Sequence, residues 1–376
     1  MHNASLMTIQ ALLHRAALLA CLLLAGMPAW AQQVYFINPG HRDETFWRQA
    51  GEAMQAAAES LGMGFSQDFA ERDPKRALAL GRAVAARPAA QRPDYVVLVN
   101  EKSTLVANAE VLSAAGIKSF AAFNGLLPQE RARFAPRSAP LAHLLGSLEP
   151  QAEEAGYLTA KALIAQGLRD APRGADGRLH LLALVGDRST PVSIARNNGL
   201  MKALAESRSL VVMDAMLAAD WQRDRARQHT DLHLQKYGET ALIWCGSDLI
   251  AFGAMDAARA AGRRPGHDLH VSGINTSTEA MRAVRSGDLS ALAGGHFLAG
   301  AFAMVMLYDH HRGRDFAVEG LTLVRPMFIG FDADRARRYL ARFGTATPPL
   351  DMRPFSKVLN PQLKQYRFAV QPLLLP

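Results

Sequence analysis

Residues 93–125 read PDYVVLVNEKSTLVANAEVLSAAGIKSFAAFNG. Tyr95-Val96-Val97-Leu98-Val99 is a continuous, β-branched apolar run, which predicts a strand covered on both faces. Helical periodicity follows to about Ala115, and Gly116 supplies the stop. Lys118 to Phe123 predicts the next strand. Strand, helix and strand in such a short span make a βαβ unit, whose two strands run parallel.

The same alternation extends in both directions. Val34 to Ile37 predicts a strand, followed by a helix with Phe46, Trp47, Ala50, Ala53, Met54, Ala57, Ala58 and Leu61 on one face. After a helix over Pro150 to Gln166 the cycle restarts with strands at Leu179 to Val185, Leu210 to Met213, Ala241 to Cys245 and Leu269 to Ile274. The expected fold is α/β: two Rossmann-like parallel-sheet lobes built in series.

The 376 residues, 49% hydrophobic and 20% charged, suffice for two cores and argue against disorder. His14-Arg15, the apolar run Ala16 to Ala25 and Ala29-Trp30-Ala31 form an export-signal pattern with cleavage expected after Ala31. Leu18-Leu19-Ala20-Cys21 also has the form of a lipid-attachment box, but its preceding apolar stretch is short. Soluble export is therefore expected over a lipid anchor. Cleavage leaves Cys245 as the single cysteine, so no internal disulfide can form. Its apolar surroundings predict a small buried hydrophobe.

The net charge of +8 is scattered, with arginines on helix faces such as Arg223, Arg225 and Arg227. No basic stripe interleaved with aromatics appears, so nucleic acid is not an expected partner.

Ligands of open parallel sheets bind beyond the carboxyl ends of the strands. Those ends carry Asn38-Pro39-Gly40, Asn100-Glu101-Lys102, Phe123-Asn124-Gly125, Gly186-Asp187-Arg188, Gly246-Ser247-Asp248 and Asn275-Thr276-Ser277. Amides and carboxylates exchange paired hydrogen bonds with vicinal hydroxyls, while Phe46, Trp47 or Phe123 can cover a sugar ring's apolar face. Each polar residue also has a structural reading: Asn38 and Asn275 can end strands, and Ser247 or Asp248 can cap the next helix.

Val34 to Met63, Phe69 to Lys75 and Pro93 to Val99 resemble type I periplasmic sugar-binding proteins, the substrate-binding family of ABC transporters (the ribose/autoinducer-2-binding-like superfamily). Ser193-Ile194-Ala195-Arg196-Asn197-Asn198-Gly199-Leu200 resembles the family segment whose arginine points into the cleft, which implies that Arg196 binds ligand oxygens. Ser247-Asp248 stands where the family usually has Asn-Asp, and Asn275 where it usually has aspartate. Phe123-Asn124 departs from the Asp-Arg of ribose-type binders. Ala293-Gly294-Gly295-His296-Phe297 looks like the family's crossing between lobes, which puts His296 within reach of ligand.

The expected ligand site is thus Asn38, Phe46, Trp47, Glu101, Phe123, Asn124, Arg196, Ser247, Asp248, Asn275 and His296. No catalytic residue, metal or cofactor is expected. The sequence lacks a Gly-x-Ser-x-Gly elbow, a phosphate loop, a dinucleotide glycine pattern and a His-Glu-x-x-His pair. His267-Asp268-His270 reads as a turn and Asp309-His310-His311 as a helix end.

The resemblance implies that a multi-strand hinge joins the lobes and that the protein is a periplasmic monomer that closes on a small sugar-like ligand and engages an inner-membrane permease, or alternatively a membrane sensor. Expected boundaries are a signal at 1–31, a first lobe at 32–146 plus 296–322, a second at 147–295 plus 323–340, and an extension at 341–376 that wraps the lobes or meets a partner.

Overall fold

The computed structural model describes residues 32–375; the expected signal, its cleavage site and Cys21 lie outside the described residues. The first sheet holds β1 (Gln33–Asn38), β2 (Gly64–Phe69), β3 (Tyr95–Leu98), β4 (Lys118–Ala122), β5 (Leu144–Pro150) and β11 (Thr322–Arg325). The second holds β6 (Leu179–Val185), β7 (Val211–Ala218), β8 (Thr240–Cys245), β9 (His270–Ile274), β10 (Ala291–Gly294) and β12 (Ile329–Gly330). Their orders are β11-β5-β4-β3-β1-β2 and β12-β10-β9-β8-β6-β7. Every pairing is parallel except β10 with β12.

Strand burial explains what the sequence pattern captured. All residues of β3 and β8 are buried because helices cover both faces. Phe36 and Val97 point to the face covered by the Thr45–Leu61 and Ala299–His311 helices. Tyr35, Ile37, Val96 and Leu98 point to the Pro74–Ala85 and Leu105–Ala114 helices on the other. In the second sheet Trp244 faces the Ala152–Asp170 and Pro191–Glu206 pair, and Cys245 faces the opposite core. The edge strand β2 escaped prediction because only Phe69 of its six residues is buried. The other edge, β7, continues to Ala218, well past Met213, because its residues are mostly half-buried and carry no continuous apolar signal.

The chain passes between sheets three times: after Pro150, after Gly294, and between Arg325 and Ile329. β5 pairs with β11 through Pro150 and Arg325. Residues 147–150 and 323–325 therefore belong to the first sheet, although the expected boundaries put them in the second lobe. A hinge strand carries no break in its apolar pattern to mark the change.

The C-terminal extension packs on the first lobe. Asp309, fully buried near the end of the Ala299–His311 helix, accepts hydrogen bonds from Ser356 Oγ, Lys357 N (2.7 Å), Val358 N (3.3 Å) and Tyr366 Oη (2.7 Å). On the same helix Phe302 stacks on Phe368 with centroids 4.6 Å apart. His310 Nδ1 lies 2.9 Å from Tyr95 Oη. Asp309 and His310 thus hold the extension and a core tyrosine.

Glycines set the helix that carries Arg196. A Cβ on Gly199 would lie 2.0 Å from the Glu153 carbonyl oxygen, and one on Gly156 would lie 2.0 Å from that of Arg196. The Ala152–Asp170 and Pro191–Glu206 helices therefore meet backbone to backbone. Gly199→Ala is expected to lower stability by about 1–3 kcal/mol in urea unfolding, by forcing them apart. An unchanged unfolding midpoint would contradict this packing.

Candidate functional site

Each sheet has a point where successive strands are laid down on opposite sides of its first strand: between β1 and β3, and between β6 and β8. Loops leaving such a pair diverge to opposite faces and open a crevice. The crevices share one cavity of about 1260 Å³, lined from both lobes. Phe46, Trp47, Glu101, Phe123 and Asn124 line it from the first lobe, and Arg196, Ser247, Asp248 and Asn275 from the second. His296 lines it from the crossing.

Asn38 does not line the cavity. It is fully buried, its Nδ2 donating to the Trp47 carbonyl and to Gln67 Oε1, both at 3.0 Å, while its Oδ1 accepts from Gly40 N at 3.1 Å. It ends the strand and fixes the turn from which the Phe46-Trp47 helix starts.

Aromatic rings build the first-lobe wall. Phe46 and Phe123 each meet Trp47 edge-on, at 5.0 and 5.2 Å. The His296 ring lies stacked between Phe46 at 4.7 Å and Phe328 at 4.5 Å.

Arg196, 3% exposed, donates through Nη1 to the Gly246 carbonyl at 2.7 Å and through Nη2 to His296 Nε2 at 2.8 Å. Burial lowers its pKa to about 9 against the pull of Asp248, so it stays charged at neutral pH. An accepting Nε2 places the His296 proton on Nδ1. His296 Nδ1, Arg196 Nε and Trp47 Nε1 are buried donors with no partner among the described residues. Unpaired buried donors are costly, and these three sit on side chains that line the cavity.

The acceptors are partly committed. Asp248 receives Asn275 Nδ2 and Leu249 N, each at 2.8 Å, and Ser277 N at 3.3 Å. Burial still pushes its pKa up. Ser247 caps its helix, its Oγ accepting from Ile250 N at 3.3 Å. Asn275 adopts φ 118, a conformation L-residues rarely take, which is backbone strain held beside the cavity.

Among the lining residues not selected from sequence are Glu44, Arg72, Asp187 and Trp221. Asp187 stood in a recognised strand-end group after β6, a switch strand, so its signal was available. Burial alone would raise its pKa, but hydrogen bonds from Thr190, Ser189 and Trp221 win and hold it below the ordinary carboxylate value. Arg72 and Trp221 follow the edge strands β2 and β7, whose weak apolar patterns hid the strand ends that present them.

Burial, and next the charge of Arg196, hold the His296 pKa well below its ordinary 6.5. Unfolding below that pH takes up a proton the folded protein refuses, so stability falls as the pH drops through about 6.5. The slope from this residue is expected to approach ~1.4 kcal/mol per pH unit. His296→Gln should remove it, as guanidinium unfolding at about pH 7.5 and 5.5 would show. Equal acid losses in both proteins would contradict a buried neutral imidazole.

The sequence pattern of the family described as "Periplasmic binding protein domain" matches residues 34–315. A periplasmic sugar-binding protein from Pseudomonas fluorescens is 34% identical and superposes with a TM-score of 0.81 over 92% of this chain and 100% of that one. An ABC transporter periplasmic solute binding protein from Actinobacillus succinogenes with bound D-allose shares the fold, at TM-score 0.68, 17% identity, and 82% and 99% coverage of this chain and that one. Among curated proteins, the "HTH-type transcriptional repressor PurR" of Yersinia enterocolitica is 29% identical over 130 residues, 34% of this chain and 35% of the repressor. The match thus spans about a third of that relative's length.

Proposed function

Because this chain belongs to the periplasmic binding protein family, we propose that it is an exported, non-catalytic receptor for a small sugar. The lobes close over the ligand, and the loaded protein delivers it to an inner-membrane ABC permease. The observation that carries this reading is the set of unpartnered buried donors on Trp47, Arg196 and His296 around one inter-lobe cavity. Hydroxyl and ring oxygens satisfy such donors without bringing a charge that the half-buried Glu44 and the buried Glu101, Asp187 and Asp248 would repel. The Phe46, Trp47 and Phe123 rings offer faces to the C–H side of a sugar ring.

Solved structures of similar fold hold neutral polyhydroxylated molecules: the sugar D-allose in one and the polyol myo-inositol in another, from Bacillus halodurans. Among the described residues no helix is long and apolar enough to cross a membrane.

Titration calorimetry with D-allose, D-ribose, L-arabinose and myo-inositol tests the ligand class. One of them is expected to bind with saturable heat, and Arg196→Ala to weaken it at least tenfold, since a charge-assisted hydrogen bond is worth about 1.5–3 kcal/mol. Undiminished affinity in the variant would remove Arg196 from the site. No heat and no thermal shift with any sugar or polyol would remove the ligand class.

A further inference from the structure

Arg72 is held on the first lobe by two carboxylates. Its Nε donates to Glu44 Oε2 at 2.9 Å, Nη2 to Glu44 Oε1, and Nη1 to Glu101 Oε1. Burial disfavours the cation, but Glu101 and Glu44 outweigh it and raise the pKa, so the guanidinium is permanently charged. Its loop is sewn to the one after β1, with Glu71 N on the Gly40 carbonyl at 3.0 Å and Arg72 N on that of Pro39 at 2.9 Å. Glu71 and Arg72 both take positive φ, 55 and 59, so the local backbone is strained to present this side chain.

Trp221 is fixed just as firmly on the second lobe. Its Nε1 donates to Asp187 Oδ2 at 2.7 Å, and its indole lies against Gly186, where any Cβ would come within 2.2 Å of the ring. It too has a positive φ, 62. The Arg72 guanidinium carbon sits 5.8 Å from the Trp221 ring centroid and 6.0 Å from that of Trp47, both within cation–π range. One cation, clamped to one lobe, therefore lies against an indole clamped to the other.

We propose that Arg72 and Trp221 are a latch across the cleft, engaged only when the lobes are together, which biases the ligand-free protein toward closure. The latch requires no ligand contact by Arg72, three of whose five N–H donors are taken by Glu44 and Glu101. It adds to the sugar reading a built-in preference for the closed form, and that preference sets how much ligand binding energy closure consumes. Arg72 is in this sense a positioning residue.

Electron–electron resonance distances in the ligand-free full chain test it. Nitroxides at Arg76→Cys and Arg227→Cys, exposed sites on the two lobes, report their separation in a Cys21→Ser background, and Cys245 is too buried to label. Arg72→Lys keeps a charge for Glu44 and Glu101 but loses the planar face. Trp221→Leu removes the indole while leaving that ion cluster intact.

Each variant is expected to shift the closed-to-open ratio about three- to tenfold toward longer distances. The double variant should go no further than either single one, because both break one contact. Unchanged distances in Trp221→Leu, or effects of the two substitutions that multiply, would overturn the latch. Should Arg72→Lys fail to fold, Trp221→Leu alone decides. The measurement uses no ligand, so its failure leaves the sugar reading standing, and the failure of every sugar to bind leaves the latch untouched.

Discussion

A parallel strand can return to its own sheet only through a crossover, and a crossover must lie on one face or the other. Where consecutive crossovers choose opposite faces, the loops between them are pulled apart. This chain makes that choice twice in the same way, giving the segments β2-β1-β3-β4-β5 and β7-β6-β8-β9-β10. The crevice beside β1 meets the crevice beside β6, and three hinge crossings keep them facing. Everything else in the site is furniture placed in the space this constraint opens.

The furniture obeys one electrostatic rule: a charge out of water needs a partner. Glu44 and Glu101 share Arg72, and Asp187 is met by Thr190, Ser189 and Trp221. Asp248 is met by Asn275 and by backbone N–H groups at the start of a helix. Arg196 differs. Its closest partners are a carbonyl and a neutral imidazole, and its Nε has none among the described residues. The stacking of His296 between Phe46 and Phe328 holds the imidazole where it can accept from the arginine. The first lobe, the hinge crossing and Arg196 of the second lobe are coupled through that ring.

How far the sequence could be read follows from burial. Strands such as Tyr95-Val96-Val97-Leu98 are buried on both faces, and a continuous apolar run is an unambiguous signal. From these the two-lobed fold and most strand-end residues were legible. The edge strands β2 and β7 bury one face or less, so their ends were misplaced or missed, and with them Arg72 and Trp221. Asn38 shows the opposite failure. A strand-end amide looks alike whether it meets a ligand or its own loop, and only the bonds to Trp47, Gln67 and Gly40 distinguish the two. The hinge boundaries were illegible because β5 and β11 run on as ordinary strands to the residue before the chain changes lobes.

The central claim is that the cavity is shaped for a compact polyhydroxylated molecule. Protein purified from its native host, dialysed without denaturant and then heat-unfolded, would release what it carried for identification by mass spectrometry. The account predicts a neutral sugar or polyol, approaching one per protein. A stoichiometric ligand that is anionic, aromatic or without vicinal hydroxyls would contradict it.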